Sequence, residues 1–390
     1  MRWCKKGLLK TPLLVSFLIL NYEFCIAQDS LYTKQVIKKL TSKEFFGRGY
    51  INNGLDKAAK YIAGELKRWK AEPLFATGYF QWFDINVNTF PGKMEVKVNG
   101  KKLKPGEDYI VSPESRGFKG SMKMRKADSL TYVMDGKDAV VALTLKQKLT
   151  FSVAHEAKPY CVIELLDKGK YADIKTVDVN IENKVLTKYV NKNVCAYIQG
   201  KVNNDTMIVL TAHYDHLGGM GKATYFPGAN DNASGVSMLL NLVKYYAKNP
   251  PRYKTVFVFF AGEEAGLLGS KYFVEQNTVD LTKIKFLLNL DLLGTGDEGI
   301  TVVNATEFKP QFELIKKIND EKKYLAQIKP RGKAQNSDHY WFSEKGVPCF
   351  FIYTLGGIRA YHDVYDRAGT LPLTRYKQVF KLITDFIESV

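Results

Sequence analysis

Four apolar runs in the second half of the chain most constrain its fold: "MIVLTA" (207–212), "VFVFF" (256–260), "IKFLLNL" (284–290) and "VPCFFIY" (347–353). Each has the length of a strand. Near-continuous apolarity suits strands covered on both faces, as in a parallel sheet between helices. Helical patterns lie between the runs. "ASGVSMLLNLVKYYAKN" follows the first and "EAGLLGSKYFVEQN" the second. This alternation predicts a doubly wound three-layer α/β/α domain with a mostly parallel central sheet.

Upstream, Leu55, Ala59, Ile62, Leu66 and Trp69 recur at helical spacing, which predicts an amphipathic helix packed on a core. From about Met94 to Val185 the texture changes. Short β-like pieces ("MEVKVNG", "AVVALTL", "YCVIELL") alternate with Gly, Lys and Asp turns. We therefore divide the chain into 28–93 with 186–390 as one α/β domain, and 94–185 as a β-rich insert or small second domain. Residues 1–27 stand apart. A basic start, the short apolar core "LLVSFLIL" and a cut after Ala27 form a secretory signal peptide pattern. The expectation is export to the periplasm or the medium, with no membrane span, because no later segment is apolar enough.

The remaining cysteines, Cys161, Cys195 and Cys349, are an odd, sparse set with no metal-type spacing. Net charge is +17, of which Arg2, Lys5, Lys6 and Lys10 against Glu23 supply +3, leaving 17 − 3 = +14 after the leader. The lysines are dispersed and accompany no nucleic-acid motif, so a solvated face is expected and no nucleic-acid partner.

Polar residues gather just past the apolar runs. His213, Asp215 and His216 follow the first, Glu263 and Glu264 the second, and Asp291 ends the third. His362 lies in "YHDVYD" past the fourth, and Asp231 sits in "GANDNASG" before a helix. Ligands of open parallel sheets bind beyond the carboxyl ends of the strands, so these distant residues are expected to meet. Imidazoles with several carboxylates and no thiolate form a ligand set for zinc or a similar divalent ion. More carboxylates than one catalytic zinc takes suggest two ions sharing one of them. Adjacent Glu263 and Glu264 repel each other unless a cation receives one. The other is then free to move a proton.

"AHYDHLGG", "GANDNASG", "FFAGEEAGLLGS", "LLNLDLLG", "SDHYWFSEKGVP" and "YHDVYDRAG" occur in that order. Together they resemble the successive blocks of the zinc-dependent aminopeptidases, which share their fold with glutaminyl cyclases and glutamate carboxypeptidase II. The resemblance covers roughly Asn193 to the C-terminus and, more weakly, "FFGRGY" and the helix after it. It implies a zinc-exopeptidase domain in which His213 and Asp291 bind one Zn²⁺, Glu264 and His362 bind a second, and Asp231 bridges the two. Glu263 matches the general base that deprotonates the shared water. Asp215 would orient the His213 imidazole, and Tyr361 matches a tyrosine that steadies the oxyanion. A cis peptide after Asp231 is also implied.

His216, His339, Asp338 and Asp366 match no ligand and are expected to line the pocket or support it. The implied substrate is a peptide with a free N-terminus. One-zinc glutaminyl cyclisation, with ligands resembling Asp231, Glu264 and His362, is the alternative chemistry. A non-enzymatic binding relative is the other alternative. Preferred side chain and oligomeric state leave no mark in the sequence, and the insert, which stands where many secreted relatives carry a protease-associated β domain, shows no convincing match to that domain's motifs.

Overall fold

The computed structural model describes residues 29–136, 139–171 and 173–390. The export signal expected at 1–27 lies outside the described residues. Among those described, no helix is long and apolar enough to cross a membrane.

The four apolar runs form adjacent strands of one sheet. We label them β1 (Met207–His213), β2 (Lys254–Phe260), β3 (Ile284–Leu290) and β4 (Cys349–Leu355). Their spatial order is β2-β1-β3-β4, with every neighbouring pair parallel. The flanks are antiparallel. Lys184–Ile198 pairs with β2 on one side, and Gly299–Val303 pairs with β4 on the other. The sheet is therefore mixed, with the expected parallel strands at its centre.

Side chains of these strands alternate between two apolar cores, because successive residues of a strand point to opposite faces. Ile208, Leu210 and Ala212 pack with Ile62, Leu239 and Ile383, which come from helices Gly54–Arg68, Gly235–Tyr246 and Tyr376–Ser389. Met207 and Val209 face the other way, toward Phe273 and Phe342 on helices Leu268–Glu275 and His339–Glu344. Helices thus cover both faces, which is why the strands carry no polar alternation. At the site β1 and β3 run directly into His213 and Asp291, whereas glycines follow β2 (Gly262, φ +71) and β4 (Gly356, Gly357).

A long antiparallel ribbon, Phe80–Thr89 with Lys184–Ile198, leads out of this body. Beyond it lies an eight-stranded sheet running from Met94 to Ile181. Its core includes Tyr109, Val141, Leu143, Ile163 and Val179, and that core continues into Leu217, Phe226 and Val364 of the larger body. Alternating patterns such as Val141–Lys146 suit strands with one covered face.

Candidate metal centre

The carboxyl ends of the parallel strands bring the expected residues together. His213 is the last residue of β1, and Asp291 follows β3 directly. Glu263 and Glu264 lie in the loop after β2. Asp231 sits in an irregular turn that runs into helix Gly235–Tyr246, and its peptide bond to Asn232 is cis. His362 lies in the loop after β4.

Asp231 stands between two imidazoles. Its Oδ1 lies 3.4 Å from His213 Nε2, and its Oδ2 lies 3.1 Å from His362 Nε2. Each imidazole nitrogen also faces a second carboxylate. His213 Nε2 is 3.4 Å from Asp291 Oδ1, and His362 Nε2 is 3.1 Å from Glu264 Oε2. Potential ligand atoms of His213, Asp231 and Asp291 lie within 4.8 Å of one another, as do those of His216, Asp231 and Glu264 and those of His213, Glu263 and Glu264. All these donors are oxygen or nitrogen, the set that zinc accepts.

The electrostatics mark the same cluster. Burial alone lowers an imidazole pKa, but at His362 the Glu264 and Asp231 carboxylates reverse this and push it up to about 11. His213 is likewise pushed well up, against burial, by Asp291 and Glu263. Glu264 is pulled down to about 2 despite burial and Asp231, through His362 and His216. Glu263 goes the other way. Burial, with Glu264, Asp338 and Asp291 beside it, pushes its carboxyl well above the ordinary range. The two adjacent glutamates thus differ in protonation preference, as a ligand and a proton carrier need to.

Supporting groups fix the loops. The Asp215 carboxylate accepts the backbone N–H groups of Glu263 (3.2 Å) and Glu264 (3.3 Å). Its distance to His213 Nδ1 is 3.7 Å, and its own carbonyl oxygen is nearer that nitrogen, at 3.3 Å. Asp215 therefore ties the β1 loop to the β2 loop more directly than it holds the imidazole. Asp366 accepts the N–H groups of Asn230 and Asp231, which sets the turn that carries Asp231. Tyr361 is 44% exposed and stacks on His362, with ring centroids 3.9 Å apart. The insert reaches this loop too: Phe151 N–H donates to His362 O at 2.9 Å, and Lys148 Nζ donates to Arg359 O.

Two residues take places that the sequence reading did not give them. His216 places Nδ1 2.6 Å from Glu264 Oε1, inside the cluster rather than merely lining it. Arg48 is fully buried, and its guanidinium makes five hydrogen bonds, all to backbone carbonyls. Nε donates to Tyr214, Nη1 to Leu40 and Pro227, and Nη2 to Gly228 and Asp231. A guanidinium has five N–H donors, so all can be satisfied with no carboxylate contact. Burial pushes its pKa down to about 10 against the pull of Asp231, Asp366, Asp215 and Glu264, so it stays charged at neutral pH. The signal was a charge between glycines in "FFGRGY". Gly228 completes the turn at φ +60. A Cβ there would lie 2.1 Å from Asp231 O and 2.4 Å from His216 Cδ2.

His339 and Asp338 lie off the ligand set. His339 is buried and packs its ring on Phe351, where burial pushes its pKa down to about 3. Asp338 is buried too, and burial pushes it up to about 7. The cluster opens into a cavity of about 310 Å³. A larger cavity of about 560 Å³, between Lys38, Pro105, Tyr225 and Arg367, touches none of these groups.

Comparison with known proteins points the same way. A zinc aminopeptidase from Bacillus subtilis superposes over 93% of this chain and 95% of its own, with TM-score 0.68 and 18% identity. A peptidase M28 precursor from Shewanella amazonensis superposes over 92% and 93%, with TM-score 0.72 and 16% identity. In sequence, aminopeptidase YwaD of Bacillus subtilis is 24% identical over 249 residues, 59% of this chain and 52% of that protein. A protein of Leptosphaeria maculans named "Probable zinc metalloprotease" is 36% identical over 111 residues, 27% of this chain and 26% of its own. The chain thus spans about a quarter to a half of the length of these curated relatives. The model of peptidase family M28 matches residues 193–387, half of the 390-residue chain, and holds every residue of the cluster from His213 to His362. The chain belongs to peptidase family M28.

Proposed function

We propose that this protein is an exported zinc-dependent aminopeptidase that hydrolyses the first peptide bond of substrates with a free N-terminus. The carrying observation is the placement of Asp231, one oxygen toward His213 and the other toward His362. A carboxylate between two such nitrogen and oxygen sets suits a pair of ions. In this reading His213, Asp231 and Asp291 hold one Zn²⁺, and Asp231, Glu264 and His362 hold the other. The fit rests on the donors: buried carboxylates this close repel one another unless cations lie among them. Zinc in such a site supplies a Lewis acid for the scissile carbonyl and acidifies water.

The chain supplies the rest. Glu263, beside the ligands but outside both sets, takes the proton of the attacking water and returns it to the leaving amine. Burial and the neighbouring Glu264, Asp338 and Asp291 raise its proton affinity, which favours uptake of that proton. Asp215 holds the Glu263 and Glu264 backbone so that the two carboxylates point to different tasks. Tyr361, stacked on His362 at the cavity wall, is placed to donate to the developing oxyanion. The insert, 94–185, is read as a domain that steadies the Tyr361–His362 loop through Lys148 and Phe151.

Mass spectrometry of a mixed peptide pool, with and without a chelator, tests this. Chelator-sensitive loss of single N-terminal residues is expected. Loss of ammonia from glutamine-starting peptides alone would instead mean a cyclase. Glu263→Gln is expected to keep its zinc and melting temperature while losing roughly 10²- to 10⁴-fold in kcat. Wild-type rates in that variant would remove Glu263 from the mechanism.

A further inference from the structure

The 310 Å³ cavity beside the cluster carries a cation that the reaction does not use. Leu292, Phe351 and Tyr353 give it apolar and aromatic surface, and Arg331 and Asn336 add a guanidinium and an amide. Arg331 follows the short edge strand Ile328–Pro330. Its backbone is pinned: its N–H donates to Val302 O at 2.9 Å, and its carbonyl accepts from Ala305 N–H at 3.0 Å. The side chain is held far more loosely, by one hydrogen bond of 3.4 Å from Nη1 to the Tyr353 hydroxyl.

Other cations near this face are engaged. Lys333 pairs with Glu344 at 2.5 Å, Lys148 with Asp363 at 3.5 Å, and Arg48 spends every donor on carbonyls. Among the described residues, no carboxylate pairs with Arg331. Among the described residues lining this cavity, Arg331 is the one lysine or arginine. A guanidinium fork matches a carboxylate in two-point geometry, and Arg331 is exposed at the cavity wall, where an incoming carboxylate can reach it.

We propose that this cavity selects acidic substrates, with Arg331 as the residue that receives their carboxylate. The proposal rests on the peptidase reading of the adjoining cluster. The carboxylate has two possible sources: the side chain of an N-terminal glutamate or aspartate, or the free C-terminus of a dipeptide.

Two measurements test it. Steady-state hydrolysis by the zinc-loaded protein compares Glu-Ala amide with Gln-Ala amide, and Leu-Ala with Leu-Ala amide. We expect kcat/KM to favour Glu over Gln by about tenfold or more, and Arg331→Gln to erase that ratio while Leu-Ala amide changes by less than about twofold. A preference confined to free Leu-Ala, erased by the same substitution, assigns Arg331 to the C-terminal carboxylate. Acid-to-neutral ratios that Arg331→Gln leaves unchanged in both series overturn the proposal. Calorimetric binding of the same peptides to the Glu263→Gln protein separates the two readings. Arg331-dependent binding of acidic peptides, without hydrolysis by wild type, would sustain the acidic site and remove the peptidase. Hydrolysis of neutral peptides with no Arg331 dependence in either measurement would do the reverse.

Discussion

Parallel strand pairs occur in both large sheets of this molecule. In the larger one, β1 and β2 run side by side and release their chain into His213, Asp215, His216, Glu263 and Glu264. In the second, Val141–Lys146 and Cys161–Leu166 also run parallel, but the chain continues into "QKLT" and "DKGKY". The first pair is covered on both faces and ends in buried polar groups; the second alternates and ends at the surface. Parallel pairing therefore makes a site possible without making one. What separates the regions is how each offsets its buried polarity. The second sheet has an apolar core that needs no charged partner. The larger sheet buries acids and imidazoles that call for cations, and it supplies one of them itself in Arg48.

Arg48→Met should break that comparison most severely. It takes a donor from each of the carbonyls of Leu40, Tyr214, Pro227, Gly228 and Asp231, of which Gly228 O keeps the Ala233 N–H, and it strips a positive charge from beside the acids. Loss of a buried charged partner of this kind costs roughly 3–5 kcal/mol, and zinc affinity should fall with it, because the turn carrying Asp231 loses its anchor. Denaturant titration with zinc stoichiometry checks both. Normal stability and normal zinc content would show that Arg48 is not a positioning residue.

Leu143→Ala sharpens the contrast from the other side. Leu143 is fully buried in the second sheet's core. Its truncation should cost about 3 kcal/mol by leaving a cavity, with zinc content unchanged. A loss of zinc without loss of stability would show that the second sheet is coupled to the metal ligands more tightly than its Lys148 and Phe151 contacts suggest.

A smaller effect follows from pH. Without metal, His213 and His362 are held protonated at neutral pH, His362 up to about 11, by the carboxylates around them. Their charged form stabilises the metal-free fold below the ordinary imidazole pKa, and that contribution is lost as pH rises through the raised value. Zinc needs the neutral imidazole, so binding must release these protons. Apparent zinc affinity should rise with pH by about tenfold per unit for each proton released. Calorimetry in buffers of different ionisation enthalpy reads this directly, and proton uptake on binding would contradict it.

Much of this architecture was legible in the chain because its signals are local. "MIVLTA" and "IKFLLNL" mark the covered strands, and His213, Glu264 and Asp291 stand within a few residues of a strand end. Arg48 was not legible, since four of its five acceptors lie 166 to 183 residues away and a backbone carbonyl has no sequence signature. The antiparallel flanks Lys184–Ile198 and Gly299–Val303 were missed for a similar reason: pairing direction depends on connections, not on strand composition. Asp215 shows a third case. Its place beside His213 suggested an imidazole partner, and its carboxylate does lie 3.7 Å from His213 Nδ1, but its hold on the Glu263 and Glu264 backbone, 48 and 49 residues on, had no local signal.

The most direct test of the shared carboxylate is zinc stoichiometry, measured by elemental mass spectrometry on wild type, His213→Ala, His362→Ala and Asp231→Ala. The account predicts two zinc ions per wild-type chain, one in each histidine variant, and almost none in Asp231→Ala, with secondary structure retained throughout. One zinc per wild-type chain, or an Asp231→Ala protein that still holds two, would contradict it.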